Sequence, residues 1–255
     1  VDNSLDNSLN YALYYRIWHD ATSAHFDEMA SFFKRILKPV LPSIHPNARI
    51  LDLGCGQGLL VYALGIGGYT SVEGVDISPQ QIDVAKEKGL NCRLVQRDFT
   101  RVLAATSPGS YDVIFLMDVL EHVPRGEQPA LVDDLSRLLV PGGKLILSVP
   151  NANSSFGLRW RYNDWTHECS FTEHSLTFLL LNKGFSEVKF FPYEFVKRPD
   201  HLVGHTKGYV LWFLHRVVRG LRRVEAVAEF GKPGLEIPLS LNLLAQAITP
   251  ATKNM

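Results

Sequence analysis

The chain predicts an α/β protein built on a doubly wound, mostly parallel sheet. Three observations carry that expectation. From residue 49 onward, short β-rich runs alternate with helical patterns. The first run ends in a glycine-rich turn, LDLGCGQG (51–58). The composition, 46% hydrophobic and 20% charged over 255 residues, is that of an ordinary folded globule with one large domain and its elaborations.

The elements follow in order. VDNSLDNSLN, a tandem DNSL without an initiator methionine, reads as a frayed or truncated tail. A helical segment at roughly 10–38 carries Tyr11, Tyr14, Tyr15 and Trp18. RILDLG (49–54) is a buried strand, LLVYALGI (59–66) a helix and SVEGVDI (71–77) the second strand. In SPQQIDVAKEK, Ser78 can cap a helix with Pro79 at its first position. NCRLVQRD (91–98) and YDVIFLMD (111–118) are strands three and four. QPALVDDLSRLLV is a helix with Leu131, Leu135, Leu138 and Leu139 on one face; it stops at Pro141-Gly142-Gly143, and KLILSVP is strand five. A helix over Glu173–Asn182 has Thr172 as N-cap and Gly184 past its end. FSEVKFF (185–191) and LSLNLLAQAI (239–248) complete the set as strands six and seven. The expected organisation is a helical cap (1–46), a ligand-binding core (47–192), an insertion (193–238), and a last strand with tail (239–255).

In an open parallel sheet, ligands sit at the strand carboxyl ends. Asp52 closes the first strand, and Gly54, Gly56 and Gly58 form the turn into the next helix, where a side chain would block a ligand from the backbone. Asp76, 24 residues beyond Asp52, ends the second strand and is placed to accept from two ribose hydroxyls. Asp98 ends the third, where it can receive an adenine amino group while Phe99 lies beside the ring. The glycine spacing is G-x-G-x-G, not the G-x-G-x-x-G of a dinucleotide fold.

LDLGCGQG, VEGVDIS, RDF, MDVLEHV and LLVPGGKLILSVPN resemble the class I S-adenosylmethionine-dependent methyltransferases over roughly 47–192. The resemblance implies a Rossmann-like, seven-stranded sheet with a reversed last strand. It also implies S-adenosylmethionine held by Asp52, Gly54, Cys55, Gly56, Gly58, Asp76, Ile77, Asp98, Phe99 and Met117. Read from its residue type alone, Cys55 is a small packed residue, and Met117 packs against the cofactor. His122, in LEHV, falls near the transferred methyl group and either orients its loop or handles a proton.

RYNDWTHECSFTEHSL (161–176) lies beyond strand five, within an acceptor loop at 151–172. It is too charged for core, because buried charges are costly unless paired. His167, flanked by Asp164 and Glu168, is the preferred general base for an alcohol acceptor, and the alternative is a structural hydrogen bond. Tyr162, Trp160 and Trp165 are candidates for a stacking wall. His167, Cys169 and His174 match no usual zinc spacing, so no metal is expected. This segment is similar to the D-x-T-H…F-T-x-x-S-L…G-F stretch of methyltransferases from bacterial surface-polysaccharide gene clusters. That narrower resemblance implies a sugar or glycan hydroxyl as acceptor. Alternatives are a phenol, amine or carboxylate acceptor, and a non-catalytic S-adenosylmethionine-binding protein.

The insertion holds YVLWFLHRVVRGLRRVEAV (209–227), helical with Val210, Leu214, Val217, Val218, Leu221 and Val224 on one face. Two roles suit it: an interfacial helix on a membrane, or a cover for the domain or for a homodimer partner. Net charge is zero, yet residues 1–150 hold 13 Lys/Arg against 17 Asp/Glu, and 151–255 hold 13 against 9. The surplus at 197–223 (Lys197, Arg198, Lys207, Arg216, Arg219, Arg222 and Arg223 against Asp200) suits an anionic partner for one basic patch. Nucleic acid is not expected, since strand four ends in MDVLEH and not in the Asn/Asp-Pro-Pro-aromatic pattern. Three cysteines without a CxxC, and no signal or membrane-spanning run, point to the cytoplasm, either free or at the inner membrane face.

Overall fold

The computed structural model describes residues 23–94, 103–194 and 206–251. Tyr11, Tyr14, Tyr15, Trp18, Asp98, Phe99, Lys197, Arg198 and Asp200 lie outside them. The elements are α1 (Ser23–Ile36), β1 (Ile50–Leu53), α2 (Leu59–Ile66), β2 (Val72–Asp76), α3 (Pro79–Glu87), β3 (Cys92–Leu94) and β4 (Tyr111–Met117). They continue with α4 (Gln128–Leu138), β5 (Leu139–Pro150), α5 (Gly157–Asn163), α6 (Glu173–Asn182), β6 (Glu187–Phe191), α7 (Thr206–Phe230) and β7 (Asn242–Ile248).

The seven strands form one sheet in the order β3-β2-β1-β4-β5-β7-β6. β7 runs antiparallel to both β5 and β6, so the last strand is the reversed one. β6 therefore runs with β1–β5, and the chain leaves it at the edge where their carboxyl ends lie. Each sheet face has its own apolar layer. Leu131, Val132, Leu135 and Leu138 of α4 pack with Leu176 and Leu180 of α6 against Leu145, Leu147 and Val149. Ile36 and Leu37 pack with Leu60, Val61 and Leu64 against Ile50, Val113 and Phe115 on the other face. A fully buried side chain of this size contributes roughly 1.5–3 kcal/mol, so each layer binds its helices far more strongly than any cap does.

Local signals set the helix starts. The Ser78 hydroxyl accepts from the Gln81 amide with Pro79 at the first helical position. Thr172 and Ser175 form a reciprocal capping box. Two boundaries differ from the sequence expectation. β5 begins at Leu139, ahead of Pro141-Gly142-Gly143, and its pairing jumps from Tyr111↔Leu139 to Val113↔Lys144. Proline has no amide hydrogen for the ladder, so the Pro-Gly-Gly run is accommodated as an irregularity within the strand instead of ending the helix in a turn. The stretch expected to be an acceptor loop also contains a short helix, α5.

α7 is helical as its periodicity predicts, but it does not cover the domain with its apolar face. Val210, Phe213, Leu214, Val217, Leu221 and Val224 are all exposed. The polar side turns inward instead. Arg223 Nη1 donates to the carbonyls of Gly234 and Ile237, both at 2.7 Å. Arg216 lies 4.0 Å from Glu194, which also acts on His215 and Arg219. Carbonyls in the turn after the helix need donors, and Arg223 supplies them. Among the described residues, no helix is long and apolar enough to cross a membrane.

Candidate active site

At the end of β1 the backbone turns back on β2: the amides of Gly54 and Cys55 both donate to the Val75 carbonyl, at 2.7 and 3.0 Å. Gly54, Gly56 and Gly58 all have positive φ, a conformation that L side chains rarely adopt. Asp76 ties this turn to the next. One of its oxygens accepts from the Gly56 amide and the other from the Ser78 amide, each at 2.8 Å. A carboxylate has about four acceptor sites, so capacity for ligand hydroxyls remains.

Asp52 is buried beside it. Burial first, and the Asp76 charge second, push the Asp52 carboxyl up to about 8. Burial also raises Asp76, opposed by the amides of Ser78, Gly56 and Ile77. Two buried acids at one strand edge fit a ligand bearing positive charge and hydroxyl donors, which stabilises their ionised forms. The Gln57 side-chain oxygen is buried without a hydrogen-bond partner and adds an unused acceptor. A Cβ built on Gly56 would meet only the Gln81 side-chain oxygen, at 3.5 Å, so the loop is open above it. Ile77 is exposed beyond β2 and Met117 half-buried at the end of β4. Cys55 turns its thiol beneath the loop, toward Cys92 and Gly74.

The second cluster forms where β4 and β5 end. Asp118 has φ +54, and one of its oxygens accepts from Ser148 Oγ at 2.9 Å and Asn242 Nδ2 at 2.6 Å. The next turn, Leu120–His122, is held by Gln128, whose amide donates to the carbonyls of Leu120 and Val123. The Glu168 amide donates to the Glu121 carbonyl at 2.7 Å, which fastens the 151–172 segment over this turn. The rings of His122 and His167 meet edge to face, with centroids 4.7 Å apart.

A chain of hydrogen bonds assigns the tautomers. The Thr166 hydroxyl donates to Asp164 Oδ1 at 2.7 Å and accepts from His122 Nδ1 at 2.8 Å. His167 Nδ1 donates to the Trp160 carbonyl at 3.1 Å. In each neutral ring the lone pair is then on Nε2. Burial, and then His167, push His122 down to about 4; burial likewise lowers His167, against the opposing Asp164. Both imidazoles are therefore neutral near pH 7. Glu121 is 1% exposed, and burial followed by Asp118 raises its carboxyl well above the usual range.

The structure thus brings together His122 and His167, 45 positions apart. It does not assemble the ligand trio open to the sequence. His174 is exposed and pairs with Glu173, while Cys169 sits against Gln128. Tyr162 and Trp165 are 75% and 87% exposed, so they stand out from the surface and do not close a wall with Trp160. Sequence reading missed Glu121 and Thr166 as members of this cluster. Glu121 was visible in LEHV, but nothing along the chain marked its carboxylate as facing His167.

A family model described as a methyltransferase domain matches residues 23–189. Curated relatives include the ubiquinone biosynthesis O-methyltransferases of Xanthomonas oryzae pv. oryzae and Xylella fastidiosa. Each is 42% identical over 109 residues, covering 41% of this chain and 44% and 43% of those proteins. The match thus spans less than half the length of these relatives. Among solved structures, an S-adenosylmethionine-dependent methyltransferase from Archaeoglobus fulgidus is 20% identical with a TM-score of 0.65, over 94% of this chain and 100% of that one. A magnesium protoporphyrin IX methyltransferase from Synechocystis, solved with bound S-adenosylhomocysteine, gives a TM-score of 0.55 at 18% identity over 95% of both chains.

Proposed function

We propose, for a chain that belongs to the methyltransferase-domain family and is an S-adenosylmethionine-dependent methyltransferase, that the acceptor is a hydroxyl oxygen activated at the His122–His167 pair. The observation that carries this reading is the paired placement of the two rings, each held through Nδ1 so that its Nε2 lone pair is left free at the strand-end edge. S-Adenosylmethionine supplies a methyl group already activated by the sulfonium. A hydroxyl oxygen adds to the methyl carbon, the carbon–sulfur electron pair stays on sulfur, and the hydroxyl proton must leave. An alcohol is hardly ionised at neutral pH, so a group that takes or loosens that proton speeds the transfer. The pair can take the proton directly, with His167 as base, or hold an ion that acidifies the hydroxyl, which is taken up below. Asp52, Gly54, Gly56, Gly58 and Asp76 are the residues we assign to the cofactor.

For the acceptor class, a sugar or glycan hydroxyl is what the resemblance of the 161–176 segment implies. A phenol follows from the relatives named for ubiquinone biosynthesis. Both readings are compatible with an acceptor carried on lipid, and the outward apolar row of α7 favours such presentation, with the helix lying in a membrane interface.

The test is methyl transfer from labelled S-adenosylmethionine to nucleotide sugars, lipid-linked glycans, phenols and amines, read by mass spectrometry. Wild type is expected to methylate oxygen in one hydroxyl class. His167→Ala should lower turnover by roughly 10²–10⁴-fold with cofactor affinity nearly intact. Transfer only to amines, or undiminished turnover by the variant at saturating acceptor, would remove the hydroxyl reading.

A further inference from the structure

We propose that Glu121, His122 and His167 hold a divalent transition-metal ion at the acceptor side of the site. The inference rests on the hydroxyl-acceptor reading and deepens it by naming how the hydroxyl is activated. One ligand atom from each of the three residues lies within 4.8 Å of the other two, an arrangement a single ion can bridge. A further observation points to a ligand. Glu121 Oε2 is buried and has no hydrogen-bond partner. An unsatisfied buried acceptor costs about 1–3 kcal/mol, more for a charged group, and a cation removes that cost.

The surroundings are also those of a built metal site. Ligating histidines usually donate their other ring N–H to a carboxylate or carbonyl, which fixes tautomer and orientation. Here His167 donates to the Trp160 carbonyl, and His122 reaches Asp164 through the Thr166 hydroxyl. Both rings thus keep Nε2 free of a proton, as a metal ligand requires. Two imidazoles and one carboxylate are a donor set suited to zinc or a neighbouring first-row ion, and three protein ligands leave a coordination position open. An acceptor hydroxyl entering that position is acidified by the ion, and its proton passes to solvent. His167 then acts as ligand, not as base. The sequence offered no such pattern because two ligands are adjacent and the third is 45 residues away, brought over by the Glu168 amide on the Glu121 carbonyl.

The test uses the full chain stripped with a chelator, then titrated with Zn²⁺ by calorimetry and with Co²⁺ by visible absorption. One equivalent of each is expected per chain. Glu121→Gln keeps the side-chain shape and should weaken Zn²⁺ binding at least about tenfold. Thr166→Val, which breaks the link to Asp164 without touching a ligand atom, should weaken it by about 10–100-fold with an unchanged circular dichroism spectrum. If Glu121→Gln does not fold, Thr166→Val decides alone. No stoichiometric uptake of either ion, or uptake that moves less than about threefold in the folded variants, overturns the site. Methyl transfer by the stripped enzyme separates this failure from the broader one. Retained transfer to oxygen without metal uptake leaves the hydroxyl reading standing with His167 as base. Transfer to no hydroxyl, with or without Zn²⁺, sinks that reading instead.

Discussion

Asp52 shows how far one buried residue can be set against its own fold. Its carboxyl is pushed up to about 8, so between about pH 4 and 8 the native state binds more protons than the unfolded chain. Stability must then fall as pH rises through that window and level off above it. Asp76, raised in the same direction, adds to the slope. Asp52→Asn is therefore expected to flatten the cofactor-free stability curve and raise stability at pH 8 by on the order of a few kcal/mol, while weakening cofactor binding. Urea unfolding from pH 5 to 9 checks it; parallel curves for variant and wild type would count against a buried, strained acid. Gly74 is a second single-residue constraint. A Cβ there would stand 2.7 Å from Cys92 Sγ and 2.8 Å from Cys55 Sγ, with β1 and β3 on either side. Gly74→Ala should cost about 1–3 kcal/mol by overpacking, and adding Cys92→Ala should recover part of it. An unfolding midpoint unchanged by Gly74→Ala would contradict this packing.

At the level of elements, periodicity was a good guide to type and a poor one to facing. The strand runs, the Ser78 and Thr172 caps and the apolar row of α4 could all be read directly, because each depends on residues adjacent in sequence or one turn apart. The β5 start could not, since it depends on Tyr111 pairing across the sheet. Nor could the orientation of α7, which is decided by Arg223 meeting the Gly234 and Ile237 carbonyls. That orientation carries a prediction. With Leu214 and Leu221 51% and 66% exposed, charges placed there should barely disturb folding. Leu214→Glu with Leu221→Glu is expected to leave the melting temperature near wild type and abolish flotation with vesicles containing anionic lipid. Wild type that fails to float, or that sediments as a dimer dispersed by the same substitutions, would assign the apolar row to a second copy of the chain.

For the whole molecule, the residues proposed for cofactor and acceptor share one edge of the sheet. β1 and β2 bring Asp52, the glycine turn and Asp76 to the proposed cofactor end. β4 and β5 bring Asp118, Glu121, His122 and the 151–172 segment to the proposed acceptor end, and β6 ends at the same edge. The geometry of the first half was legible in the sequence, since LDLGCGQG and VEGVDIS each carry their turn glycines or strand-end acid on one short stretch. The second depends on Thr166 and His167 folding back over Glu121 and His122, a contact with no local signature. The two ends should also separate by experiment. A ligand that binds only the native state stabilises it by RT ln(1 + [L]/Kd), about 2.7 kcal/mol at a hundredfold excess over Kd. At roughly 2–4 °C per kcal/mol for a chain of this size, S-adenosylhomocysteine should raise the melting temperature by about 5–10 °C. Asp76→Ala removes the carboxylate that positions both the Gly56 and Ser78 amides, and it should erase most of that rise. His167→Ala lies at the other end and should keep it. A rise preserved in Asp76→Ala would place the cofactor elsewhere on the sheet edge, and a rise lost in His167→Ala would mean that the two ends are one coupled site.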